Sequence, residues 1–240
     1  MRRVSVGVFV LVLAVAGRAN AAPIVISNII GGWQNADPAP NATVANQAGQ
    51  AVDSVRWGTG GAAQSGYDFD PADNPVNYSL GNPFALGLFT HFNQSVSAGT
   101  SIASVDYGFG FTTDGVPTSL TDIFHFDHNE TDNEDPCPSP SGNNPCDDIV
   151  TLSSVNLNSL ITSGPDQFFF NLIGFSTDGG LTTTAQFFSP ENGSHSATLY
   201  GRLTSQPIVN PLGNTPEPAS ILLVGTGMAF AARRLRRRTR

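Results

Sequence analysis

Ser104-Val105-Asp106-Tyr107-Gly108-Phe109-Gly110-Phe111 decides the fold class, because Val105, Tyr107, Phe109 and Phe111 fall on one side of an extended chain. A helix would scatter those four side chains around its circumference. The same period of two recurs outward in both directions. Phe84, Leu86 and Leu88 share a spacing of two, Phe124 and Phe126 flank His125, and Ala197, Leu199, Gly201 and Leu203 alternate near the end. Further extended segments are expected at 25–30, 54–57, 149–155, 167–175 and 182–188, with 25 glycines and 17 prolines breaking the chain into short pieces. About ten short strands predict an all-β domain, a two-sheet antiparallel β-sandwich of jelly-roll-like form spanning 22–205. Sixteen phenylalanines can fill its core, each burying roughly 150–250 Å². Exposed aromatics that stack on sugar rings, such as Trp33 or Trp57, are the alternative use of this composition.

The two ends read as addresses. Met1-Arg2-Arg3, the apolar run 4–16 and Ala19-Asn20-Ala21 form a signal peptide over 1–21, with basic start, hydrophobic centre and small-x-small cleavage site. At the other end, a proline-rich linker over 206–218 finishes in Pro216-Glu217-Pro218, and prolines on both sides of Glu217 keep that tripeptide extended. A hydrophobic helix is expected over 219–232, followed by Arg233, Arg234, Arg236, Arg237 and Arg238 within the segment 219–240. A run of fourteen residues falls short of the about 20 that cross the hydrocarbon core upright, so the segment is marginal as a permanent anchor. The arginines hold their end on the cytoplasmic side and leave the body outside.

This order of motif, greasy segment and basic tail resembles the PEP-CTERM sorting signal. The resemblance implies a Gram-negative host that secretes exopolysaccharide and an exosortase as processing partner. It also implies a transient hold in the inner membrane, followed by release to the cell surface or extracellular matrix. An uncleaved C-terminal anchor is the alternative reading.

With both ends removed, the charge changes sharply. The whole chain carries −8, but nine of its eleven arginines lie in the signal or the tail, and there is no lysine. Residues 22–218 therefore hold Arg56 and Arg202 against nineteen acids, a net charge of −17. Such a body repels phosphate backbones, which excludes nucleic acid as a partner. It suits divalent cations or dispersal in a hydrated polysaccharide matrix.

Five stretches carry a second resemblance: Ser54-Val-Arg-Trp-Gly-Thr-Gly60, Leu88-Phe-Thr-His-Phe-Asn93, the loop beginning Glu130-Thr131, Asp148-Ile-Val-Thr151 and Ala197-Thr-Leu-Tyr-Gly-Arg-Leu203. Over 52–203 they make the chain similar to the choice-of-anchor K domain. That family implies a surface-anchored protein and brings no known catalytic activity. Asp132 stands where the family tends to place proline, so the detail of this loop is not carried over.

Within the body, Cys137 and Cys146 are the only cysteines, and export places them where a disulfide forms. A cysteine-histidine nucleophile pair is the sharper alternative, which the proline-rich intervening loop disfavours. The densest acidic stretch, 127–135, offers Asp127, Glu130, Asp132, Glu134 and Asp135 as oxygen ligands for calcium, the one cofactor considered. A shorter stretch, 68–74, is a weaker candidate, and a solvated acidic loop is the alternative for both. His91, His125, His128 and His195 are scattered singly, and His91 reads as a structural histidine near a strand end. No catalytic residue set emerges. The expectation is a non-enzymatic matrix protein, with a carbohydrate-binding module second and a glycan-active hydrolase third.

Overall fold

The alternation around Tyr107 folds as a strand whose inward positions are Val105, Tyr107, Phe109 and Phe111, all buried. The same rule repeated along the chain builds fourteen strands in this computed structural model, which describes residues 24–46, 52–59, 63–72, 76–114, 116–117, 123–132, 136–137, 146–153, 159–163 and 166–207. The signal peptide, the linker beyond residue 207, Pro216, Glu217, Pro218, the apolar segment and its arginines, and Glu134 and Asp135 lie outside those residues.

One sheet contains β1 (Ile24–Asp37), β5 (Val76–Tyr78), β7 (Ser104–Thr113), β8 (Val116–Pro117), β9 (Ile123–Asn129), β10 (Asp148–Leu152) and β13 (Gln186–Ser189). Its order is β13-β10-β9-β7-β1-β5, with β8 pairing β7. The other contains β2 (Ala42–Ala45), β3 (Asp53–Trp57), β4 (Ser65–Pro71), β6 (Pro83–Asn93), β11 (Ser159–Ser163), β12 (Asp166–Ser176) and β14 (Gly193–Thr204), in the order β11-β12-β14-β6-β4-β3-β2. Every pairing is antiparallel. The two sheets face one another across a core rich in aromatic rings, the sandwich expected from the period of two. Rings from opposite sheets meet there: Phe89 of β6 stacks on Phe126 of β9 at 5.5 Å, and Phe69 of β4 tilts against Tyr107 at 4.7 Å.

Three local expectations are corrected. Phe84, Leu86 and Leu88 do not share a face, because a bulge interrupts β6: Tyr200 pairs with Ala85 and Leu199 with Gly87, which leaves Leu86 as an extra residue. Beyond it the phase is reversed. Leu88 turns out to 43% exposure, and the inward positions become Phe89, His91 and Asn93. Gly87 makes this possible, since a Cβ there would sit 2.5 Å from the Asp70 carbonyl oxygen and from the Phe69 ring.

The segment 182–188 is strand only from Gln186 onward. Ahead of it the Asp178 carboxylate accepts the Thr182 N–H at 3.0 Å, and Gly179 and Gly180 adopt positive φ, so side-chain capping of a turn outcompetes strand pairing. Strand β10 likewise stops at Leu152, short of the expected 155.

Candidate metal centre

The reversed phase after Leu86 places a histidine where the alternation calls for an apolar side chain. Phe89, His91 and Asn93 all point into the core from β6. On the facing sheet, β9 continues its own inward series Phe124, Phe126 with His128, and the first residue of the adjacent β10, Asp148, is also buried. His91 and Asp148 expose 0% of their surface and His128 6%, so two imidazoles and a carboxyl group meet in the interior. The potential ligand atoms of His91, His128 and Asp148 lie within 4.8 Å of one another, and so do those of Glu130, Asp148 and Glu191, with Asp148 common to both sets.

Aromatic rings frame the site. Trp57 stacks on His91 at 5.9 Å and meets the ring of His128 edge-on at 5.0 Å. Tyr67 packs edge-on to both imidazoles, and its hydroxyl lies 2.6 Å from His128 Nδ1. Burial first, then the charges of Asp148, Glu130 and Asp127, push the Tyr67 phenol well above its usual range, so it stays protonated beside His128. His128 Nε2 faces Glu130 Oε2 at 3.3 Å and Asp148 Oδ2 at 4.0 Å. Glu130 sits at the rim, held by the Ser101 hydroxyl at 2.9 Å. The Asp148 Oδ1 atom accepts the Thr131 N–H at 2.9 Å. Thr131 Oγ1 in turn donates to the carbonyls of Cys146 and Asp147 at 3.1 and 3.2 Å, the hydroxyl being shared between them, which ties Asp148 to the disulfide between Cys137 and Cys146.

The electrostatics match this confinement. Burial, then the neighbouring His128 and His195, holds His91 well below the usual histidine range, so its imidazole is neutral. Burial, reinforced by the Glu130 charge, raises the Asp148 carboxyl to about 8. Imidazole nitrogens beside carboxyl oxygens are the donor set of a divalent transition-metal cation.

A set of buried polar atoms in this neighbourhood has no hydrogen-bond partner among the described residues: Trp57 Nε1, both ring nitrogens of His91, Asn93 Oδ1, Asp148 Oδ2 and Ser189 Oγ. Each such atom costs about 1–3 kcal/mol of desolvation if nothing else meets it.

The expected sites fare differently. The disulfide joins Cys137 and Cys146 as anticipated, so neither thiol is free to act as a nucleophile. Trp33 and Trp57 cannot form a sugar platform: they are 1% and 0% exposed. Trp33 donates through Nε1 to the Asp53 carbonyl at 3.1 Å and packs against Tyr107 and Phe126, and Trp57 lies under His91. Of the proposed calcium ligands among the described residues, Asp127, Glu130 and Asp132, Glu130 alone enters the cluster. Asp127 alternates outward to His125 Nε2 at 3.2 Å, and Asp132 is exposed. Asp68, from the second acidic stretch, is taken by Arg56 at 2.7 Å.

His91, His128, Asp148 and Glu191 were not assigned a site from sequence. The usable signal was the period of two carried through a bulge, Phe89-x-His91 on one strand and Phe124-x-Phe126-x-His128 on another.

The PEP-CTERM protein-sorting motif matches residues 214–238. This is the signal of an exported surface protein processed by an exosortase after a transient membrane stage. No curated protein matches the chain.

Proposed function

We propose that the sandwich is the non-enzymatic cargo of this sorting signal, an acidic surface protein delivered into the exopolysaccharide layer outside a Gram-negative cell. The observation that carries the reading is the sorting motif at 214–238, which lies beyond the last strand of the sandwich, so the cut leaves the folded body whole. The body suits that destination. Its −17 charge keeps copies apart in a hydrated matrix, and its tryptophans are committed to the core rather than to a sugar-stacking face. The disulfide and the long antiparallel pairings favour persistence outside the cell.

The test is mass spectrometry of the protein released by its host, beside co-sedimentation with the host polysaccharide. A terminus at or near Pro216-Glu217-Pro218 that reverts to the intact Arg240 terminus when the exosortase is deleted supports the reading. An intact terminus in both strains overturns the processing step. Reducing sugar released from the polysaccharide by the purified chain overturns the non-enzymatic assignment.

A further inference from the structure

Two buried imidazoles with no hydrogen-bonding partner for one of them, a buried carboxylate oxygen in the same condition and two flanking glutamates converge at one end of the core. From this we infer that the protein binds one divalent transition-metal ion of the zinc class, through His91, His128 and Asp148, with Glu130 or Glu191 completing the set. The inference is independent of the sorting reading.

Distances decide its plausibility. Donor atoms held tetrahedrally on one zinc-class ion, at bonds of 2.0–2.1 Å, stand about 3.4 Å apart. His128 Nε2 and Asp148 Oδ2 are 4.0 Å apart and the full triad lies within 4.8 Å, so the side chains close by about 1 Å as they take up the ion. Donor chemistry decides the ion. Imidazole nitrogens beside carboxylate oxygens suit zinc, iron, manganese or cobalt, whereas calcium takes oxygen alone. Binding removes orphan atoms that the chain does not satisfy by itself, both on His91 and on Asp148. Tyr67 orients His128 from behind: with the metal on Nε2, the proton moves to Nδ1 and the phenol oxygen accepts it, as an outer-shell partner does.

The ligands come from both sheets, His91 from β6 on one side and His128 and Asp148 from β9 and β10 on the other. The ion therefore clips the sandwich together across its core. The enclosure of those three side chains gives it the character of a structural site.

The experiment strips the full chain, purified in detergent, with a chelator, then titrates it separately with zinc, manganese and calcium while following metal content and melting temperature. One equivalent of zinc or manganese retained, with a raised melting temperature and no response to calcium, is expected. His91→Leu and Asp148→Asn should weaken binding by more than the roughly 10–100-fold lost with an outer-shell partner, and Tyr67→Phe should fall within that range. Because core variants can fail to fold, Glu130→Gln at the half-open rim provides a folded variant, expected to weaken binding about tenfold or more if Glu130 completes the set. Substituting Asp127, which faces away, by asparagine should leave binding unchanged.

Failure to retain any transition ion with circular dichroism intact would mean that ordered water alone occupies the cluster, and overturns the assignment. So would calcium binding in preference to zinc, or zinc binding that survives His91→Leu and Asp148→Asn.

Discussion

Two buried polar clusters lie in the same sandwich and are built in opposite ways. Around Asp53 the protein completes its own hydrogen bonds: the Asp53 carbonyl takes Trp33 Nε1 at 3.1 Å and its Oδ2 takes the Tyr107 hydroxyl at 2.8 Å. Around His91 it does not, and orphaned nitrogens and oxygens accumulate on His91, Asn93, Asp148 and Ser189. A satisfied cluster is part of what holds the fold, so removing any member costs stability. An unsatisfied one burdens the fold when empty-handed, so the reason to keep it lies in what it binds.

The largest expected effect comes from the satisfied side. Trp33 touches Tyr67, Phe89, Tyr107 and Phe126, from both sheets, and is 1% exposed. Replacing Trp33 by alanine should lower unfolding free energy by about 3–5 kcal/mol in urea denaturation, the range for a large core aromatic. A loss below about 1 kcal/mol would break the idea that this cluster is the structural one.

A smaller, more specific loss is expected for Tyr107→Phe. The ring stays, and only the donor to Asp53 Oδ2 disappears. Burial already raises the Asp53 carboxyl above its usual range, an effect the Tyr107 hydrogen bond opposes, so the variant should raise it further and cost about 1–3 kcal/mol at neutral pH. The deficit should shrink as the pH falls and Asp53 protonates. Equilibrium denaturation at acidic and neutral pH checks both the size and the trend.

How much of this contrast was readable in the chain follows from where the period of two holds. The strand 104–113 and the alternating end of β14 could be placed from their residues, because their bulky side chains recur without interruption. His91 could not. Counting by two from Phe84 reaches Leu88, and only the bulge at Leu86, set by the approach of Gly87 to Asp70, moves His91 to the inside. Asp148 was hidden for another reason. It opens β10 directly after the disulfide, and its burial depends on a Thr131 contact seventeen residues away, which no local pattern encodes. The tryptophans misled because an aromatic side chain is equally suited to a core and to a sugar face, and composition does not say which.

The unsatisfied cluster makes the opposite prediction. In chelator-treated protein, His91→Leu swaps two orphaned nitrogens for an apolar side chain of similar size. Stability should stay level or rise by up to about 2 kcal/mol, in contrast to both substitutions above. A loss of more than about 1 kcal/mol would place His91 with the structural residues and erase the difference between the clusters.

The smallest effect sharpens the comparison along a single strand. His125 and His128 both belong to β9, but His125 faces outward, with Nδ1 at 2.6 Å from Asp106 Oδ1 and Nε2 at 3.2 Å from Asp127 Oδ1. The Asp106 hydrogen bond, assisted by the charges of Asp106 and Asp127 and opposed by slight burial, raises its pKa above the usual 6.5. A raised histidine pKa means the folded state holds the proton more tightly. The stabilisation is therefore complete below about pH 6.5 and lost as the pH rises through the raised value. With 42% of the side chain exposed, solvent screening limits it to a few tenths of a kcal/mol. Comparing the chain with His125→Gln by denaturation from about pH 5 to 8 should show a difference that narrows with rising pH and shrinks further in concentrated salt. A difference that widens toward alkaline pH would contradict the assignment. His125 and His128 are three residues apart in sequence, and the side of the strand on which each falls sets one ring against the Asp106 carboxylate and the other in the core.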